Sequence, residues 1–253
     1  MHTLIVLGCG RSGTSMVAGT LSTAGYRTDD SWNSDRYNPK GYFESLAIHR
    51  INEEILSPVI NSPFESLSAT TGTIEKNAPD EQSWLGILEP KKQLSLNETL
   101  SSRMRDSLTN TPFCLKDVRF SYTLELWKPY FQNTKFICVF RHPASTINSI
   151  VQYANQRSYL SFLGLDKCYA QRLWQCIYSH ILEKQSLTGD WLFVHYDQLF
   201  SSTHLQRLET FSQAKLDASF PEPQLKKPVP ELELDKQTLD IYEVLCRRAG
   251  YGC

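Results

Sequence analysis

Apolar residues along the chain fall into two alternating patterns. Short continuous apolar runs sit at Leu4–Leu7, at Pro112–Asp117 through Phe113-Cys114-Leu115, at Lys135–Phe140 and at Trp191–Tyr196. Each ends in glycine or charged residues, which reads as a buried strand with a polar exit. The stretches between them carry helical spacing. From Leu46 to Leu56, Leu46, Ile48, Ile51, Ile55 and Leu56 fall on one face, and Arg50, Glu53 and Glu54 on the other. The pattern further predicts helices after Gly13 (ending near Gly25), over about 91–108, Tyr122–Phe131, 144–153, about 166–186, about 203–213 and about 236–249. Pro143 suits the first turn of its helix and Gly250 ends the last. Strands alternating with helices predict an α/β fold: a central, mainly parallel sheet between two helical layers.

Residues 29–40 are rich in turn formers and read as a loop. Residues 61–83 are Ser/Thr/Pro/Glu-rich and aperiodic, and read as a mobile insertion, either a lid or a disordered segment. With no repeat and no linker, the 253 residues read as one domain, 1–253, with that insertion. The composition is that of an ordinary globular chain, 41% hydrophobic and 21% charged. Lys plus Arg number 26 against 27 Asp plus Glu, a formal net charge of −1, which argues against a nucleic-acid partner. Any anion site must draw its positive charge locally. No apolar run approaches a membrane span, and the N-terminus lacks the pattern of a signal peptide. The seven cysteines show no CxxC spacing and no zinc signature. A reduced, cytoplasmic setting is the expectation, under which the Asn97-Glu98-Thr99 sequon is coincidental.

The strand at Leu4–Leu7 runs into Gly8-Cys9-Gly10-Arg11-Ser12-Gly13-Thr14-Ser15 and then a helix. Strand, glycine loop and helix N-terminus together make a phosphate cradle, because the unpaired N–H groups of the first helical turn carry partial positive charge. Gly8, Gly13 and Ser15 match GxxxxGK[ST], but Thr14 occupies the lysine position and the cation stands earlier, at Arg11. A nucleoside-triphosphate enzyme needs that lysine and a carboxylate-held magnesium, and neither is evident.

A second anchor follows the strand at 135–140. Arg141 closes it, and Ser149 lies eight residues on in the next helix. Together the two anchors resemble the sulfotransferases that use 3′-phosphoadenosine 5′-phosphosulfate (PAPS). Arg11-Ser12-Gly13-Thr14-Ser15 matches the family's 5′-phosphosulfate loop at every position, and Arg141 with Ser149 matches its 3′-phosphate pair. Lys116-Asp117-Val118-Arg119-Phe120, Asn38-Pro39-Lys40-Gly41-Tyr42-Phe43-Glu44 and His195-Tyr196-Asp197-Gln198-Leu199 resemble further family segments. The histidine base of the cytosolic phenol- and steroid-directed branch is replaced by Val118, so the chain is more similar to bacterial branches that use a glutamate base. The C-terminal Arg-Lys-Gly clamp of that cytosolic branch is also absent, with Lys226 and Lys227 the nearest candidates.

The resemblance implies a P-loop NTPase-like fold and sulfuryl transfer from PAPS to an acceptor hydroxyl or amine, with no metal required. It assigns Gly10, Arg11, Ser12, Gly13, Thr14, Ser15, Arg141, Ser149, Tyr196, Lys226 and Lys227 to the nucleotide. Arg11 and Lys116 would stabilise the transferring group, and Glu44 would act as general base, with Asp117 and His49 as alternatives. Tyr42, Phe43, Tyr153, Tyr159, Phe162 and Trp174 are candidates for an acceptor cleft or for the core. The acceptor could be a small molecule, a carbohydrate or another hydroxyl-bearing partner. The rival readings are a kinase with a degenerate phosphate loop and a non-catalytic nucleotide-binding module.

Overall fold

The computed structural model describes residues 2–28, 34–36, 38–60, 82–108, 113–157, 160–161 and 164–252. Four strands form one sheet: β1 (Thr3–Leu7), β2 (Cys114–Lys116), β3 (Thr134–Phe140) and β4 (Asp190–His195). Their order is β2-β1-β3-β4 and every pairing is parallel. Register is set by Ile5 opposite Leu115 on one side and Phe136 on the other, and by Cys138 opposite Phe193. Side chains alternate across the sheet. Leu4, Val6, Ile137 and Val139 enter one apolar layer, and Ile5, Leu7, Cys138 and Phe140 enter the other. Both faces are therefore buried, which explains why the strands read as continuous apolar runs.

The helices divide between those layers. Helix α1 (Thr14–Thr23) lies on the first face with α7 (Ser202–Ser212), through Val17, Leu21, Leu205 and Leu208. Helices α2 (Leu46–Leu56), α3 (Glu98–Asp106), α4 (Phe120–Trp127), α5 (Pro143–Gln156), α6 (Lys167–Glu183) and α8 (Lys236–Ala249) cover the second. The helices that follow β1 and β3 thus leave adjacent strands toward opposite faces. This opens a crevice at the strands' C-terminal ends, the usual ligand position in such sheets.

Several expectations shift at their edges. The helix expected over 91–108 begins only at Glu98, capped by the Asn97 side chain, which accepts from the Leu100 N–H at 2.8 Å. Asn97 of the sequon is thus a helix cap. Tyr122–Phe131 becomes α4 followed by a 3₁₀ turn at Lys128–Tyr130, where Pro129 interrupts the α-helical hydrogen bonding. Within the 61–83 insertion, residues 61–81 lie outside the described residues, and Ser83 opens a 3₁₀ turn, Ser83–Leu85. Among the described residues Cys9, Cys114, Cys138, Cys168 and Cys176 are free, whereas Cys246 is disulfide-bonded, against the expectation of reduced cysteines. No helix among the described residues is long and apolar enough to cross a membrane.

Candidate active site

The crevice is a cavity of about 770 Å³, within the usual range for small-molecule sites. Its wall begins at the loop between β1 and α1. The loop is held from behind: Gly8 N–H donates to Ser121 Oγ at 3.2 Å and Cys9 N–H to the Tyr178 hydroxyl at 3.3 Å. That hydroxyl donates to Val139 O at 2.9 Å and lies 3.0 Å from Ser12 Oγ. Ser12 is fully buried, and its side chain faces this core network and Thr146. Gly10, Arg11, Gly13, Thr14 and Ser15 line the cavity. Gly13 has φ 97°, and a Cβ there would collide with the Tyr196 ring. Only glycine takes this left-handed position against a ring without strain.

Arg11 stands inside the cavity wall. Its Nε donates to Ser149 Oγ at 3.3 Å, and its guanidinium lies 5.1 Å from the centre of the Tyr153 ring. Burial lowers its pKa, opposed by Tyr153, Tyr42 and Asp35. Parallel pairing of β1 with β3 puts Arg141 at the neighbouring strand exit. Arg141 lies over the Tyr196 ring, 4.6 Å from its centre, and donates to Lys227 O at 3.3 Å. Arg141, Ser149, Tyr196 and Lys227 all line the cavity. Lys226 does not share this position, because its ammonium pairs with Asp197 at 2.7 Å.

The cavity floor holds a buried pair. Lys116, at the end of β2, bonds Glu44, from the segment before α2; they are 5% and 8% exposed. His49 on α2 brings Nδ1 within 3.9 Å of the other Glu44 oxygen. Burial alone would raise the Glu44 carboxyl, but Lys116, His49 and Arg119 more than reverse that and hold it at about 2. Asp117, the alternative base, turns away from the cavity. It accepts from Arg119 N–H at 2.8 Å, from Arg119 Nη1 at 3.1 Å and from Asn52 Nδ2 at 3.1 Å. It orients Arg119, which does line the cavity.

A sequence model of the sulfotransferase family matches residues 3–213. The chain belongs to the sulfotransferase family. No curated protein matches it in sequence. Among solved structures it is similar to the sulfotransferase domain from the curacin biosynthetic pathway, with 15% identity, 99% of this chain and 98% of that one covered, and a TM-score of 0.50. It is also similar to a sulfotransferase from Mycobacterium avium, with 17% identity, 98% and 75% coverage, and a TM-score of 0.50. These likenesses establish the fold, which in sulfotransferases is P-loop NTPase-like.

The far end of the cavity is built by residues that the sequence pattern did not single out. Trp84 packs over Gly10 and meets Tyr153 edge-on at 5.6 Å. Arg157 pairs with Asp35 at 2.5 Å, bonds the Tyr42 hydroxyl at 3.1 Å and lies over Tyr153. Of the aromatic candidates, Tyr42 and Tyr153 line the cavity. Trp174 is core, Phe43 packs edge-on against Phe220, and Tyr159 and Phe162 lie outside the described residues. Ser145 also lines the cavity, one helical turn before Ser149. Trp84 follows an aperiodic stretch and Arg157 ends a helix, so neither position carries a spacing signal. Ser145 would have been found by extending the Ser149 face of α5 back one turn.

Proposed function

We propose that the protein transfers the sulfuryl group of PAPS to an acceptor hydroxyl, with the phosphates held at the two strand exits. One observation carries this reading. The Arg11 loop and the Arg141–Ser149 helix, 130 residues apart, open into one cavity whose floor is the Lys116–Glu44 pair. A nucleotide phosphorylated at both ends of its ribose meets cations and helix N-termini at both exits, and this arrangement suits a bisphosphate better than a triphosphate chain. Thr14, in place of the lysine of nucleoside-triphosphate enzymes, fits the same conclusion.

The residues then divide the work. Loop amides, Thr14 and Ser15 hold the 5′-phosphate, and Arg11 bears on the charge that develops at the leaving oxygen. Arg141 and Lys227 face the 3′-phosphate, and Tyr196 stands beside them. Lys116 is drawn toward the transferring group, which releases Glu44 to accept the acceptor's proton; a carboxylate still held at about 2 is a weak base. These side-chain cations supply the positive charge, so the reading needs no metal ion.

Calorimetric titration with 3′,5′-bisphosphoadenosine, against ATP plus Mg²⁺, tests it. The expected result is metal-independent binding of the bisphosphate, weakened at least about tenfold in Arg11→Ala and in Arg141→Ala. Preference for ATP with Mg²⁺ would instead indicate a kinase. Binding with no transfer to any screened acceptor would indicate a binding module.

A further inference from the structure

Among the described residues, the hydroxyl of Ser145 is a polar group on a cavity-lining residue that has no hydrogen-bond partner. Ser145 is 6% exposed, its Oγ is buried, and that atom has no hydrogen-bond partner among the described residues. A buried hydroxyl without a partner costs stability, which a ligand at the cavity wall would offset. Its position names the ligand's charge. Ser145 is in the first turn of α5, a helix of 14 residues whose N-terminus faces the cavity. No acidic residue stands in that first turn, and Arg141 enters the cavity just before it. Helix N-terminus, guanidinium and hydroxyl border one cavity, and together they suit a dianion.

The neighbouring serine is differently engaged. Ser149 lies one turn further along the same face and already accepts from Arg11 Nε at 3.3 Å. Ser145, Ser149, Gln152, Tyr153 and Gln156 line the cavity in succession down α5, which is the i, i+4, i+7, i+8, i+11 face of a helix. Ser149 therefore ties the Arg11 loop to α5, and Ser145 stands at the Arg141 end.

We propose that Ser145 donates a hydrogen bond to the 3′-phosphate of the donor nucleotide and, with Arg141, makes the protein discriminate a 3′-phosphorylated nucleotide from one lacking that group. This rests on the donor reading above. The test is calorimetry of wild type, Ser145→Ala and Ser145→Thr with 3′,5′-bisphosphoadenosine and with adenosine 5′-phosphate, plus melting of the free proteins. Ser145→Ala is expected to lose about tenfold in affinity for the bisphosphate and to keep its affinity for the monophosphate. Ser145→Thr, which retains a hydroxyl, is expected to recover most of the loss. The melting temperature of free Ser145→Ala is expected to equal or exceed that of wild type, because no bond is removed. An equal fall for both nucleotides, unchanged bisphosphate affinity, or a lowered melting temperature of free Ser145→Ala each overturns the assignment. Failure of the wild type to bind the bisphosphate removes the donor reading itself, a result separate from any effect of the variant.

Discussion

At the residue scale, the decisive feature is a carboxylate buried against an ammonium. Glu44 and Lys116 have both left water, a cost that their mutual attraction and the nearby His49 and Arg119 must offset. The folded-state value of about 2 lies below the ordinary 4.5, so the folded protein resists protonation at Glu44 more than the unfolded chain does. That stabilisation is full above about 4.5 and is lost as pH falls toward about 2. Glu44→Gln removes it and leaves the Lys116 ammonium without its counter-charge. Its expected cost near neutral pH is about 3 kcal/mol, with a flatter stability profile between pH 5 and pH 3, read by urea unfolding. The same variant is expected to bind 3′,5′-bisphosphoadenosine and to lose turnover with any acceptor found by screening. Full turnover would remove Glu44 as the base and leave the nucleotide site intact. Glu44 was legible from its segment, but its partner was not. Glu44 and Lys116 are 72 residues apart, and no local spacing records that they touch.

At the scale of elements, the site is made by two strand-to-helix turns on neighbouring parallel strands. Each turn supplies a cation and a helix N-terminus, and the β1–β3 register sets their separation. Gly13 links them, because its left-handed backbone lets Tyr196, just past β4, pack directly on the loop. Gly13→Ala is therefore expected to displace Tyr196 and the first turn of α1 together. The expected result is a loss of bisphosphate affinity of tenfold or more with the protein still folded, read by calorimetry and melting. Unchanged affinity would show that the Tyr196 contact has no part in holding the nucleotide. The loop, its flanking strand and its helix were all readable in the sequence, since glycine spacing and apolar runs are local signals. The support behind the loop was not. Tyr178 and Ser121 reach it from α6 and α4, and Ser12, whose position fits a ligand contact, turns inward to join that network.

At the scale of the whole molecule, two histidines, His195 buried and His180 partly buried, set its response to acid. His195 Nδ1 accepts from Asp197 N–H at 3.1 Å, so Nε2 carries the proton and meets the Tyr242 hydroxyl of α8 at 3.2 Å. The ring stacks on Tyr251 at 3.8 Å. This docks the C-terminal helix against the end of β4. His180 on α6 packs edge-on against Tyr122 of α4 at 5.4 Å. Burial, chiefly, lowers both from 6.5 to about 4. The unfolded chain takes up these protons as pH falls below 6.5, and the folded protein does not until about 4, so stability declines across that interval. Urea unfolding is expected to give a lower midpoint at pH 5 than at pH 7, and His195→Gln is expected to remove part of that difference. A midpoint independent of pH over this range would contradict the neutral state of both rings. This window lies mostly above the one assigned to Glu44 and overlaps it only between about 4 and 4.5, so the change from pH 7 to pH 5 reads the histidines.

The sequence by itself determined the order of strands and helices along the chain, the glycine loop and the cations at both strand exits. Those features rest on periodicity, glycine placement and charge within a few residues. Strand order, and with it the meeting of Arg11, Ser149 and Arg141 across one cavity, was decided by the parallel pairing of β1 with β3. Tertiary structure alone put Lys116 against Glu44, took Lys226 into another ion pair, and set Trp84 and Arg157 at the cavity's far end. The physical reason is common to all of these. Burial and long-range pairing change what a charged or aromatic side chain can do, and neither is encoded in its immediate neighbours.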